Sequence, residues 1–199
     1  MSAHNGWSRA APAIQSHMRL KMEEDGQIRQ VVYQLLVDNT FGILSRISGL
    51  FSRRGYNIDS ITAGVTADPK ITRITIVTHG DDDILDQIEK QVAKLIDVRD
   101  IRQLKPDDSV YRELAMIKVR CDATQRQGVI AVTNIFRGNI IDVAPESLMI
   151  EITGNQGKID AFLRLLDGYE ILELARTGIA GLSRGVGNVV YLNQDKDLP

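Results

Sequence analysis

Hydrophobic positions in the first part of the chain alternate between the periods of strands and of helices. Residues 30–37 (QVVYQLLV) are dense in apolar and β-branched side chains and predict a strand. Apolar residues then recur at i, i+1, i+4, i+7 and i+8, which indicates one helical face: Ile43, Leu44, Ile47, Leu50 and Phe51. Arg53 and Arg54 followed by Gly55 are typical of a helix C-terminus.

A hairpin and a second helix are predicted next. Residues 57–66 (NIDSITAGVT) alternate as a strand, residues 67–70 form a turn, and residues 71–78 (ITRITIVT) form the returning strand. Three aspartates at 81–83 open a helix, where carboxylates favour the dipole. Its apolar stripe is Ile84, Ile88, Val92, Leu95 and Ile96. A strand over residues 98–104 completes the order β-α-β-β-α-β.

The second half of the chain repeats this order without obvious sequence identity. Its predicted strands are 114–121, 139–143, 148–153 and 169–175, and its predicted helices are 125–136 and 155–166. The pattern predicts an α+β fold of two tandem βαββαβ ferredoxin-like modules, with antiparallel sheets and helices on one face.

Composition along the chain suggests boundaries for these modules. We predict a disordered polar leader at 1–28, which lacks the apolar core of a signal peptide, and a first domain at 29–105. A linker at 106–110 begins at Pro106, and a second domain spans 111–185. The sequence loses its periodicity from Gly181 onward, which predicts an extended tail, assigned to 186–199.

Charge and composition exclude several classes of function. The net charge of −2 and the aromatic fraction of 5% argue against a nucleic-acid-binding protein. No apolar run approaches the ~20 residues that span a bilayer, so no membrane association is expected. The single cysteine, Cys121, rules out an intrachain disulfide and favours a reducing, cytoplasmic location.

The sequence contains no convincing catalytic set. His79 lies near Asp81, but a metal site needs three or four ligands, so a loop histidine is the simpler interpretation. Cys121 has no neighbouring histidine, and neither a nucleophile elbow nor a phosphate-binding glycine loop occurs. We therefore expect a protein that is not an enzyme and has no cofactor of its own, although carboxylate pairs assembled by folding stay open.

The stretch LVDNTFGIL, residues 36–44, joins the first strand to the first helix. The amides at a helix start lack internal partners and favour an anion, and Gly42 allows a ligand to approach closely. Asn39 offers both a donor and an acceptor, so the loop suits an α-amino acid. The alternative is structural: Asn39 caps the helix and Gly42 permits tight packing.

Extended blocks of this sequence resemble a known family. The stretch LLVDNTFGILSRISGLFSRRGYNIDSITAG, residues 35–64, resembles the opening of an ACT domain, the amino-acid-sensing module. It is more closely similar to the small regulatory subunit of acetohydroxyacid synthase, also called acetolactate synthase. In the second half the similar blocks are ELAMIKVR (113–120), IFRGNIIDV (135–143) and ARTGIAGLSRG (175–185), so the resemblance covers residues 30–185.

The resemblance implies a regulatory role in branched-chain amino acid biosynthesis. Members of the family are non-catalytic, bind and activate a large catalytic subunit that uses thiamine diphosphate, Mg and FAD, and confer feedback inhibition by a branched-chain amino acid, usually valine. Their ACT domains pair into a homodimer with the effector at the interface. The resemblance assigns effector binding to Asn39, Gly42, Ile43 and Ser45, with Asn57 contributed by the partner chain.

Some alternatives stay open at this point. Asn57 is equally well explained as a turn residue after Gly55, and Phe41 replaces the proline common before this glycine, which affects the identity of the effector. The chain could instead be a stand-alone amino-acid sensor that acts on transcription or on another enzyme, or a small enzyme on the same scaffold. The arginines of the second half, such as Arg120, Arg126 and Arg176, are either paired or available to a partner.

Overall fold

The computed structural model describes residues 28–186 of the chain. The predicted leader at 1–28 and the predicted tail at 186–199 therefore lie outside the described residues, apart from one residue each. The first module consists of β1 (Arg29–Asp38), α1 (Ile43–Arg54), β2 (Ser60–Val65), β3 (Ile71–Gly80), α2 (Asp82–Val92) and β4 (Val98–Leu104).

The first module is a four-stranded antiparallel sheet in the order β2-β3-β1-β4, with both helices on one face. Alternate residues of β1 and β3 pack against the helices, and the core between them includes Tyr33, Leu35, Ile47, Ile74 and Ile88. The Tyr33 hydroxyl donates to the Leu85 carbonyl oxygen at 2.9 Å, and burial raises the pKa of this phenol to about 12. This bond ties the central strand to α2.

The second module repeats the topology. It contains β5 (Ser109–Arg120), α3 (Arg126–Ile135), β6 (Asn139–Ala144), β7 (Ser147–Gly154), α4 (Gln156–Leu165) and β8 (Glu170–Arg176). The strand order is β6-β7-β5-β8, again antiparallel, and Ile117, Val129, Ile150 and Phe162 lie in its core. The predicted α+β fold of two βαββαβ modules is confirmed.

Several arginines of the second module are engaged within the chain. The guanidinium of Arg176 donates two hydrogen bonds of 2.7 Å to the carboxylate of buried Glu113, and these bonds raise the pKa of the guanidinium. Arg176 also contacts Asp160 at 3.1 Å. Arg120 pairs with Glu170 at 2.8 Å, and Arg126 donates to the carbonyl oxygens of residues 144 and 145. These three side chains have structural roles in the second module.

Two predicted element boundaries were wrong. The second helix ends at Val92 rather than continuing through Leu95 and Ile96, since the chain must turn before it enters β4. Leu95 still packs on the core from this turn, whereas Ile96 is 93% exposed. The strand expected from residue 57 begins at Ser60, because Asn57 is held in a loop by the Thr78 hydroxyl, which donates to its carbonyl oxygen at 2.6 Å.

A short strand that the sequence analysis did not predict lies within the predicted second domain, 111–185, before the tail assigned to 186–199. Residues Ala180–Ser183 form β9, which pairs antiparallel with residues 109–112 at the start of β5. For the same reason β5 begins at Ser109, five residues before the predicted position of 114. We call this two-stranded ribbon, residues 109–112 and 180–183, the connecting ribbon.

The connecting ribbon covers part of the face of the first sheet that the helices leave open. Ile179, just before β9, packs with Val32, Val77 and Leu104, and Tyr111 joins this cluster. The Tyr111 hydroxyl donates to the Leu104 carbonyl oxygen at 2.6 Å. The two modules are therefore held together by a small apolar core of their own.

Gly178, beside this core, provides a test of how closely the modules are packed. Its φ of +80° is unfavourable for other residues, and an added Cβ would lie 2.9 Å from Ser60 Cβ. Gly185 has a similar φ of +70° with no atom within 4 Å of an added Cβ. We expect Gly178→Ala to lower the free energy of unfolding by about 1–3 kcal/mol more than Gly185→Ala, measured by urea denaturation. Equal losses of stability in the two variants would show that the close contact between Gly178 and β2 does not contribute to the free energy of unfolding.

Candidate functional site

The candidate site is the start of α1, where the helix begins on a glycine. Gly42 is the N-cap residue with φ 79° and ψ 6°, in the left-handed region, and no side chain caps the helix from this position. Its carbonyl oxygen accepts from the Arg46 amide at 2.9 Å, the first helical hydrogen bond. The first-turn amides therefore have no acceptor from the capping residue, and together with the helix dipole they favour an anion.

Asn39 lies beside this helix start, but its side chain forms its hydrogen bonds with the hairpin made of β2 and β3. Its Nδ2 donates to the Pro69 carbonyl oxygen at 2.9 Å, and its Oδ1 accepts from the Thr72 hydroxyl at 3.1 Å. The Asn39 amide also donates to the Lys70 carbonyl oxygen at 2.7 Å. Asn39 thus joins the end of β1 to the neighbouring turn and does not cap α1 as the structural interpretation of the sequence expected.

An ion pair that the sequence analysis missed holds the loop between β1 and α1. Arg46 Nε lies 2.9 Å from Asp97 Oδ2, and its two terminal nitrogens donate to Thr40 Oγ1 at 3.1 Å and to the Phe41 carbonyl oxygen at 3.3 Å. The Thr40 hydroxyl donates in turn to Asp97 Oδ1 at 3.2 Å. Asp97 lies more than fifty residues from this loop in sequence, so no local spacing could have indicated the contact.

The other predicted residues of the loop differ in their exposure. Ile43 is buried in the core, and its amide contacts the Thr40 carbonyl oxygen at 3.4 Å. Ser45 is exposed in the first helical turn, and Phe41 is fully exposed at 102%. Asn39, Gly42, Ile43 and Ser45 therefore surround one helix start that is open to solvent.

Asn57 lies at the other end of the same helix. It follows the C-cap residue Gly55, and α1 has 12 residues, a length of about 18 Å at the usual rise. Its Nδ2 donates to Asp59 Oδ1 at 2.6 Å, and the same carboxylate lies 2.9 Å from His79 Nδ1. Within one chain, Asn57 does not belong to the group of residues at the start of the helix.

The histidine and the cysteine considered in the sequence analysis lie apart from the start of α1. Within residues 28–186, no group of three or more His, Cys, Asp and Glu residues is arranged to hold a metal. His79 pairs with Asp59, whereas Asp81 caps α2 by accepting from the Ile84 amide at 2.7 Å. Cys121 is buried in the core of the second module. None of the helices in this range is long and apolar enough to cross a membrane.

Fold and helix-start loop together define a protein built on an ACT module with a second, similar module attached. Residues 33–100 match the family described as AHAS small subunit-like ACT domain, and residues 112–185 match the family described as small subunit of acetolactate synthase. The chain belongs to the acetolactate synthase small-subunit family, which confirms the resemblance seen in the sequence.

Individual relatives agree with this assignment. A probable acetolactate synthase small subunit from Methanothermobacter thermautotrophicus is 49% identical over 167 residues, which cover 83% of this chain and 97% of that protein. The small subunit of acetolactate synthase isozyme 3 from Escherichia coli is 46% identical over 155 residues, with coverages of 77% and 95%. A crystal structure of the small subunit from Thermotoga maritima superposes with a TM-score of 0.74 at 42% identity, covering 79% and 99%.

The hydrogen bonds of Asn39 lead to a prediction about stability. Replacing Asn39 by alanine removes two side-chain bonds and leaves the hydroxyl of Thr72, a residue only 8% exposed, without its acceptor. We expect Asn39→Ala to lower the free energy of unfolding by about 1–3 kcal/mol. Asn57→Ala is the matched control, because within residues 28–186 the hydrogen bond of its side chain goes to the exposed Asp59, and its loss of stability should be smaller. A larger loss for Asn57→Ala in urea denaturation would contradict the structural role of Asn39.

Proposed function

We propose that this chain is the non-catalytic regulatory subunit of acetolactate synthase. It binds the large catalytic subunit, raises the activity of that subunit, and confers feedback inhibition by valine or another branched-chain amino acid. The observation that carries the proposal is the uncapped start of α1 at Gly42 in a chain of this family. The catalytic chemistry, with thiamine diphosphate, Mg and FAD, belongs to the large subunit, and the assembly works in the cytoplasm.

The charges around the helix start suit the carboxylate of an amino acid. The carboxylate accepts from amides of the first turn such as that of Ser45, and the positive end of the helix dipole stabilises it. The Ile43 amide joins them by exchanging its long 3.4 Å bond to the Thr40 carbonyl oxygen for one to the carboxylate. The guanidinium of Arg46, which is paired with Asp97, also lies nearby, with its Nη1 3.5 Å from where a Cβ on Gly42 would stand. Asn39 Oδ1 keeps a second lone pair, which can accept from the amino group of the effector.

The exposed edge of the first sheet suits a homodimer. Among the described residues 28–186, strand β2 pairs with β3 on one side only, and it presents Ile61, Ala63 and Val65 to solvent, with Val65 59% exposed. An unpaired edge with apolar side chains is a template for another strand. Pairing of β2 with β2 of a second copy would give a continuous sheet across the dimer. It would also allow Asn57 of one chain to approach the helix start of the other, which a single chain cannot achieve.

Feedback inhibition then follows from linkage between two equilibria. An effector shifts the state of the assembly only by its difference in affinity for the two states, typically ~1–3 kcal/mol. A site that lies between two copies of the first module gives such a difference, because the effector bonds to both copies only in one arrangement. Activation uses the surface that meets the catalytic subunit, so the two effects are separable by mutation.

The first functional prediction concerns Gly42→Asp. An aspartate here adds a negative charge where the effector carboxylate binds and can pair with Arg46, so we expect the valine concentration for half-inhibition to rise by about tenfold or more. Activation of the catalytic subunit should persist. The assay measures acetolactate formation by the reconstituted holoenzyme, with and without valine.

Gly185→Asp is the matched control for this variant. It introduces the same residue at a similar φ of +70° in the second module, where no atom lies within 4 Å of an added Cβ. It should retain both activation and inhibition. Calorimetry with valine on Asn39→Ala extends the test to direct binding, and binding should be lost. If Gly42→Asp removed activation and inhibition to the same extent, the picture of two separate surfaces would fail.

The second functional prediction concerns the dimer interface. A charge at the β2 edge opposes strand pairing, so we expect Val65→Glu to shift the chain towards the monomer in sedimentation velocity and to weaken valine binding. Val143→Glu is the matched control, since Val143 is 62% exposed near the β6 edge of the second sheet. If Val143→Glu dissociated the dimer and Val65→Glu did not, the dimer would be built on the second module.

A further inference from the structure

A cleft lies on the side of the first sheet away from α1 and α2. Its volume is about 610 Å³, within the range of small-molecule sites. Residues of β2 and β3 line one side, and residues of the connecting ribbon line the other. Because Ile74 and Ile76 face the helices, their neighbours Arg73 and Thr75 face the opposite way, into this cleft. The cleft is therefore separate from the start of α1.

The cleft contains a cation whose hydrogen-bond donors are unused within the described residues. Arg73 is half-buried, and within residues 28–186 its guanidinium forms neither a hydrogen bond nor an ion pair. Desolvation by burial lowers the pKa of this guanidinium, and the nearby carboxylate of Asp100 acts in the opposite direction. Arg73 and Asp100 both pair with Leu36 of β1, so they lie on the same face of the sheet with one strand between them, and Asp100 is also held by Arg102 at 2.8 Å. The charge of Arg73 is thus available to an anion.

The remaining lining indicates the chemistry of the ligand. Arg112 adds a second cation, although its Nη1 donates to the Tyr111 carbonyl oxygen at 2.7 Å. The rest of the lining includes aliphatic side chains of the connecting ribbon, namely Val110, Ala180 and Leu182. A highly charged ligand would leave most of its oxygens without donors against these residues. An anion with one charged group and an apolar body matches both parts of the cleft.

We propose that this cleft binds a short aliphatic carboxylate, with the carboxylate on Arg73 and the alkyl body against the aliphatic lining. The proposal does not rest on the regulatory function proposed above. The lining comes from both modules, with Arg73 from the first and Leu182 from the second. A bound ligand therefore strengthens the docking of the connecting ribbon on the first sheet.

The test uses hexanoate and its neutral analogue hexanamide on the full-length chain, by calorimetry and thermal unfolding. We expect saturable binding of hexanoate at concentrations up to about 10 mM and an increase in Tm, with hexanamide binding about tenfold or more weakly. Arg73→Gln should weaken hexanoate binding by about tenfold or more, since it removes a charge-assisted hydrogen bond. Arg53→Gln, an exposed arginine on α1, is the matched control and should bind normally.

A second variant tests the cleft without changing its charge. Gly64 is paired with Arg73 across β2 and β3, lines the cleft, and has no atom within 4 Å of an added Cβ. Gly64→Val therefore fills the space beside Arg73 without a clash, and valine favours a strand. We expect this variant to fold with an unchanged or higher Tm and to lose hexanoate binding by about tenfold or more.

Several results would overturn the proposal. These are no saturable binding of hexanoate, equal binding of hexanamide, binding that survives both Arg73→Gln and Gly64→Val, or inorganic phosphate binding as tightly as hexanoate. Hexanoate binding that is lost in Asn39→Ala but kept in Arg73→Gln would also overturn it. That result would move the carboxylate to the start of α1 and leave the proposed regulatory function intact.

Discussion

Burial of β1 on both faces is the constraint on which the rest of the structure depends. Every residue from Val31 to Val37 is buried, although a strand of an open sheet usually keeps one face in contact with water. The helices cover one face through contacts such as Leu35 with Ile47 and Ile74. The other face is covered near Val32 by the connecting ribbon. The first module therefore needs residues 109–112 and 180–183 of the second half to bury its central strand.

The position of the helix-start site follows from the end of this strand. β1 ends at Asp38, which accepts from Arg99 at 2.8 Å, and Asn39 then bonds to the neighbouring hairpin turn. Arg46 and Asp97 fix the loop from the other side. The free amides of α1 are thus held in place by contacts with a strand, a turn and a loop. Preorganisation of this kind lowers the entropy lost on binding, which supports the effector site proposed above.

The two faces of the first sheet carry different chemistry. The helix side carries the start of α1 and the exposed edge of β2, and the opposite side carries the cleft around Arg73. Strand β2 borders both, because its alternate residues face opposite sides. Contacts at the β2 edge and contacts in the cleft are therefore made by the same strand. The Thr62 hydroxyl also links this strand to the second module, because it donates to the Thr177 carbonyl oxygen at 3.1 Å.

The sequence by itself determined the modules, and tertiary structure decided their connections. Local periodicity is a property of neighbouring residues, so it identified both βαββαβ units and the helix ends at Gly55 and Asp81. The loop from Asn39 to Ser45 was likewise visible, because helix-start chemistry is local. The connecting ribbon, the Arg46–Asp97 pair and the hydrogen bonds of Asn39 all join residues that are distant in sequence. The cleft around Arg73 likewise brings together residues of both modules. Such contacts depend on how the sheets pack, and no local pattern encodes them.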